Sequence, residues 1–152
     1  MGNNIYGIPI KKLYEEKNDP NMESFTSELD IDFENQIECK YPTVIEIKKA
    51  IIEAKLEITT EQNRNFQDQP GWCCGIKETE GYDTPVSVDN IKSHEELITD
   101  MLSFSRGKWE TVLKMLFELE KIIGPILFYC DSGQMTMIIK GKTIKQVLEE
   151  LK

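Results

Sequence analysis

At 152 residues, with 39% apolar and 30% charged side chains, the chain is long enough to bury its own core, and a single globular domain over 1–152 is expected. Its net charge of −9 argues against nucleic acid as a partner, because the phosphate backbone demands a basic surface. No run reaches the ~18 apolar residues of a membrane helix, and the opening MGNNIYGIPIKK has neither the basic-then-apolar pattern of a signal peptide nor a Ser or Thr at position 6 for myristoylation, so no membrane contact is expected and the cytoplasm is the expected compartment.

The charge is unevenly placed. Residues 1–40 carry nine acids and four bases (−5), 41–60 three of each, 61–100 nine acids and three bases (−6), and 101–152 six acids and eight bases (+2). The acid is therefore confined to the first two-thirds. Such a distribution keeps a protein soluble and attracts basic partners.

In chain order, Ile5 to Ile10 reads as a short strand, which Pro9 would place at a sheet edge. Lys11 to Lys17 suits one or two helical turns, and Asn18-Asp19-Pro20-Asn21 a turn. Leu29, Ile31 and Phe33 alternate with Asp30, Asp32 and Glu34, and Ile37, Cys39 and Tyr41 continue the alternation; a half-buried strand is preferred over a helix carried by Phe25, Leu29, Phe33 and Ile37. Thr43 and Glu46 have capping-box spacing, opening a helix to about Leu56 with Val44, Ile47, Ile51 and Ala54 inward and Ile45 and Ile52 widening the stripe. Thr59 to Gln69 reads as loop or weak edge strand, Pro70-Gly71 as a break, and Trp72 to Glu78 as a strand with Trp72, Cys74 and Ile76 on one face. Glu80 to Asn90 reads as loop. Ser93 and Glu96 form a third capping-box spacing, which predicts a helix near 94–103 buried through Leu97, Ile98, Met101 and Leu102.

The last third is the most regular. Trp109, Val112, Leu113, Leu116, Leu119 and Ile123 recur at helical spacing and stop at Gly124-Pro125. Ile126–Cys130 and Met135–Ile139 are two apolar strands around Asp131-Ser132-Gly133-Gln134. With Ser132-Gly133 as a two-residue loop, Cys130 faces Met135, Phe128 faces Met137 and Ile126 faces Ile139, all on one apolar face. Thr143 and Gln146 then cap a final helix lined by Ile144, Val147, Leu148 and Leu151. The expected fold is α+β: a mostly antiparallel sheet with the 126–139 hairpin at its centre, covered by helices near 44–56, 94–103, 108–123 and the C-terminus.

Chemical signatures are sparse. Cys39, Cys73, Cys74 and Cys130 lack the C-x₂-C spacing of a zinc site, and adjacent strand residues point to opposite faces, so Cys39, Cys74 and Cys130 are expected to be small core residues, with no metal or cofactor. His94 is the only histidine, and a Cys–His nucleophilic pair would have to use it; the first turn of a helix, its expected place, disfavours a charged imidazole. Asp131-Ser132-Gly133 lacks the partners of a phosphate loop or nucleophile elbow and is accounted for by a turn. Asp30, Asp32 and Glu34 would share one strand face, able to meet a cation or a partner's Lys and Arg. Trp72, Tyr82 and Phe66 fall in Gly- and Pro-punctuated sequence, where aromatics anchor interfaces or cap a core edge. No catalytic constellation emerges, so an enzyme is the less expected reading. The expected function is binding of a basic protein partner through Asp30, Asp32, Glu34, Trp72 and Tyr82, as a bacterial immunity or antitoxin-type inhibitor would. The alternative is an enzyme or small-ligand-binding domain whose site assembles only in space.

Overall fold

The computed structural model describes residues 4–16, 18–20, 39–65 and 67–151. The preferred strand around 29–37, its carboxylates Asp30, Asp32 and Glu34, and Phe66 lie outside the described residues. The elements are β1 (Asn4–Pro9), α1 (Ile10–Glu15), α2 (Val44–Glu53), β2 (Ile58–Arg64), β3 (Pro70–Ile76), β4 (Thr84–Asp89), β5 (Leu102–Ser105), α3 (Trp109–Ile123), β6 (Ile126–Cys130), β7 (Met135–Ile138) and α4 (Ile144–Glu150). The strands form one antiparallel sheet in the order β2-β3-β4-β5-β1-β6-β7. The class is the α+β arrangement that the sequence implies.

One rung crosses the whole sheet: Gln62, Cys73, Ser87, Ser103, Tyr6, Tyr129 and Met135 are successive cross-strand partners. The residues flanking this rung point the other way, toward α2, α3 and α4, and make the main core, which includes Ile5, Trp72, Cys74, Val86, Val88, Leu102, Phe104 and Phe128. Gly7 lies on that helical face between Leu102 and Phe128, and a Cβ there would stand 3.1 Å from Leu116 of α3. Its missing side chain is what lets the longest helix sit down on the central strand. On the rung's own face a smaller cluster of Ile8, Leu13 and Leu127 gathers Tyr6, Met101, Tyr129, Met135 and Met137, with α1 contributing Leu13.

Two of the three capping boxes form. Thr43 Oγ1 accepts from Glu46 N (3.2 Å) while Thr43 N donates to Glu46 (3.1 Å), and Thr143 and Gln146 repeat the pattern in α4. α3 buries the predicted Val112, Leu113, Leu116, Leu119 and Ile123 and ends at Gly124 with φ +93°.

Several expectations are corrected. No helix forms at 94–103: Glu96 N bonds back to Ser93 O (3.4 Å) in a turn, Ile98 N is taken by Pro42 O (2.8 Å), and Leu102–Ser105 is drawn into the sheet as β5. Leu97, assigned to a buried stripe, is 54% exposed. The presumed loop 80–90 contains β4, whose Val86 and Val88 alternate into the core. Pro70-Gly71 opens β3 rather than breaking the chain. β1 is not an edge but lies between β5 and β6; Pro9 is tolerated because it ends the strand. Ile45 and Ile52 are 50% and 63% exposed, so the inner stripe of α2 is narrower than predicted. Cys39–Thr43 form no strand.

The hairpin lies at one end of the sheet, with β7 outermost, and not at its centre. Its register also differs by one residue: Ile126 pairs with Ile138, Leu127 with Met137, Phe128 with Thr136 and Tyr129 with Met135. The cause is the turn. Gly133 N donates to Cys130 O (2.8 Å) and Gly133 has φ +101°, a three-residue loop in place of the two-residue one. One extra loop residue slides the partner strand, so Met135 and Met137 face the minor cluster and Thr136 takes the position beneath the helices. Thr136 is tolerated there because its hydroxyl bonds Glu150 and meets Lys142 (3.4 Å).

Candidate functional site

An acidic groove of about 390 Å³ opens where α1, the end of β4 and the 91–100 loop converge. α1 supplies Lys12, Glu15 and Glu16; β4 ends in Asp89; the loop adds Glu96, Leu97, Thr99 and Asp100; Tyr41 enters from the segment before α2. Asn90 turns the chain out of β4 with φ +62°, a conformation Asn adopts more readily than most residues. The loop is pinned by buried Ile91 and Ile98, by Ile98 N to Pro42 O, and by Ile45 N to His94 O (3.4 Å).

Among the described residues, five carboxylates and one ammonium line this groove. The ammonium is already matched: Lys12 Nζ lies 2.9 Å from Glu16 and donates to Thr99 O (3.2 Å). Glu15 accepts from Tyr41 Oη (2.9 Å) and has Lys11 at 3.7 Å. Burial, and then this bond to Glu15, pushes the Tyr41 phenol up from its ordinary value, so it stays a neutral donor. The remaining three acids meet neutral donors: Asp89 the Asn65 side-chain amide (2.8 Å), Glu96 the Lys92 backbone N–H (3.2 Å), Asp100 the Met101 backbone N–H (2.8 Å). Among the described residues none of these three has a cationic partner. Their charge is left to act on whatever enters. The rim carries Leu97, exposed and apolar. Among the described residues no group of His, Cys, Asp and Glu is placed to hold a metal ion, and no helix is long and apolar enough to cross a membrane.

Sequence reasoning chose other residues. Trp72 is fully buried at 0% exposure, so it belongs to the core and presents no ring to a partner. Tyr82 is 96% exposed at the tip of the β3–β4 connection, beside Gly81 at φ +79°. That connection is firmly tied: Asp83 accepts from Thr59 Oγ1 (2.8 Å) and Glu78 N (3.3 Å), and Lys108 Nζ reaches Glu80 O (2.5 Å). Tyr82 and the groove stand at opposite ends of β4, about 20 Å apart at ~3.3 Å per residue, so the structure does not bring them together. The groove acids were invisible in sequence because they come from three separate segments. The one legible signal was the acidity of 61–100, where three of the five reside.

A second polar cluster was also missed. Glu61 on β2 accepts from Trp72 Nε1 (2.9 Å) and from Lys48 of α2 (3.0 Å). The Trp72 bond first, and then Lys48, hold its carboxyl below the ordinary range against the opposing effect of burial. His94 packs edge-on to Trp72 at 6.4 Å and bonds Asn63 through Nε2 (2.8 Å). These contacts clasp the outer strand to its neighbours and account for His94. Cys73, Cys74 and Cys130 are buried, on both faces of the sheet, whereas Cys39 is half-buried. Ser132 sits in the hairpin turn, bonded to Gln134.

No protein-family model, curated protein or solved structure matches this chain.

Proposed function

We propose that the protein acts by binding a basic protein partner, and that the acidic groove receives a Lys or Arg side chain of that partner. Three groove carboxylates with no cationic partner among the described residues carry this reading. A concave, acid-lined wall focuses potential and speeds the approach of a cation, while exposed Leu97 offers an apolar contact at the rim. An immunity or antitoxin-type inhibitor of a basic, secreted or intracellular toxin has this chemistry. Tyr82 is a separate anchor that a large partner could also reach.

The test compares Glu96→Gln/Asp100→Asn with Glu53→Gln/Glu149→Gln, which removes the same charge from exposed positions outside the groove. Binding of an arginine-rich peptide, measured by calorimetry at low and moderate salt, should weaken about tenfold or more in the groove variant and far less in the control, since local steering effects run to ~10–10³. Equal losses in both would mean that only net charge matters and would remove the groove from the reading.

A further inference from the structure

At the far end of the strands from the acidic groove lies a second hollow, of about 550 Å³, within the range of small-molecule sites. Its walls are the end of α2 and the residues after it (Lys55, Leu56, Glu57), the residues after β3 (Lys77, Glu78, Thr79) and the start of α3 (Lys108, Glu110, Thr111, Lys114). Four lysines thus converge on one cavity in a chain whose net charge is −9.

The walls are fixed chiefly by bonds that do not use the ammonium groups; only Lys108 Nζ spends one of its three N–H donors, on Glu80 O (2.5 Å). Lys77 N donates to Glu57 O (2.9 Å), Lys108 N to Thr84 Oγ1 (3.2 Å), and buried Thr84 in turn to Glu78 (2.6 Å). Glu78 is therefore turned toward Thr84. The other two acids hold their lysines loosely: Lys77–Glu57 at 3.6 Å and Lys114–Glu110 at 3.3 Å, with every side chain at least 44% exposed. Such exposed pairs contribute little and exchange readily for a better anion. Lys55 forms no ion pair among the described residues and holds φ +63° where glycine is the usual residue at a helix end. Two threonines, Thr79 and Thr111, border the same space.

We propose that this hollow binds a small, multiply charged phosphate compound, with Lys55, Lys77, Lys108 and Lys114 as the cationic contacts. Ammonium groups grip phosphate as point charges, and several around one cavity favour di- or triphosphate over a single charge. The site is separate from the acidic groove and does not depend on the protein-binding reading.

Titration calorimetry of the intact protein with orthophosphate, pyrophosphate and a nucleoside triphosphate tests it. Pyrophosphate and the triphosphate should bind saturably, and more tightly than orthophosphate. Lys55→Gln/Lys77→Gln should weaken pyrophosphate at least tenfold, while Lys145→Gln, exposed on α4 outside the hollow, should change it less than twofold. Glu57→Gln releases Lys77 from its carboxylate and should tighten binding. These substitutions lie on exposed side chains, and thermal melting checks that the fold is kept. Absence of saturable pyrophosphate binding, an equal loss with Lys145→Gln, or no gain with Glu57→Gln would each overturn the proposal.

Discussion

Glu61 is where a single residue ties electrostatics to stability. Its folded pKa lies below the ordinary 4.5, chiefly through Trp72 Nε1 and then Lys48. A depressed carboxylate adds stability that is fully present above its unfolded value and drains away as pH falls through the folded one. Glu150, lowered by Thr136 and Lys142, acts in the same direction; Glu120, raised by burial, acts oppositely and is relieved by acid. Urea unfolding of wild type should therefore lose stability between about pH 5 and 3, and Glu61→Gln should flatten part of that loss. Identical pH profiles for the two proteins would show that Glu61 is not a source of it. At the same scale, burial pushes the Cys74 thiol up to about 12, and Cys73 also upward. Because the thiolate is the reacting form, alkylation of native protein near pH 8 should label half-buried Cys39 well before Cys73, Cys74 or Cys130. Peptide mapping by mass spectrometry reads the order directly, and early labelling of Cys74 would contradict its placement.

Elements were legible where local signals agreed with each other. α3 has an apolar stripe, a glycine stop and a proline beyond it, and the structure reproduces all three. Thr43 and Thr143 cap helices because an apolar stripe facing the core follows each. Ser93 has the same spacing and caps nothing, because Leu102 and Phe104 are needed between β1 and β4; tertiary pairing overrode the local cue. The hairpin shows the same limit. Apolar matching preferred a register with six apolar residues on one face, but methionines are content half-buried and a threonine can be satisfied below a helix. Loop geometry then decided. The two registers differ in a measurable way. Phe128, fully buried and edge-on to Trp109 at 5.7 Å, should cost about 3–5 kcal/mol when changed to Ala. Met137→Ala, on the other face and only half-buried, should cost well under half of that by chemical denaturation. Equal costs would favour the register with both residues in the main core. The candidate groove was less legible than any element, since no periodicity links Glu15, Asp89 and Glu96.

For the whole molecule, the two ends of the sheet are finished differently. β2 is seven residues long, mostly exposed, and carries two register irregularities and the Glu61 and Arg64 charges. β7 is short, and Lys142 Nζ donates to Met137 O (3.1 Å). Irregularity, charge and a lysine on the edge are the usual means of preventing edge-to-edge pairing. Lys142→Ala removes one of them, and also the contact to Glu150. It should raise the associated fraction in sedimentation velocity relative to wild type, and no change would place the protection elsewhere. The central position of β1 has a different consequence, which concerns how the chain is made. β1 leaves the ribosome before the other described strands, yet both its neighbours come late: β5 begins at Leu102 and β6 at Ile126. At roughly 5–20 residues per second, the 93 residues from Pro9 to Leu102 take about 5–20 s to synthesise. Throughout that interval a strand ending in Ile8 and Pro9 has no partner on either side, so the nascent chain spends its most aggregation-exposed period waiting for its own second half.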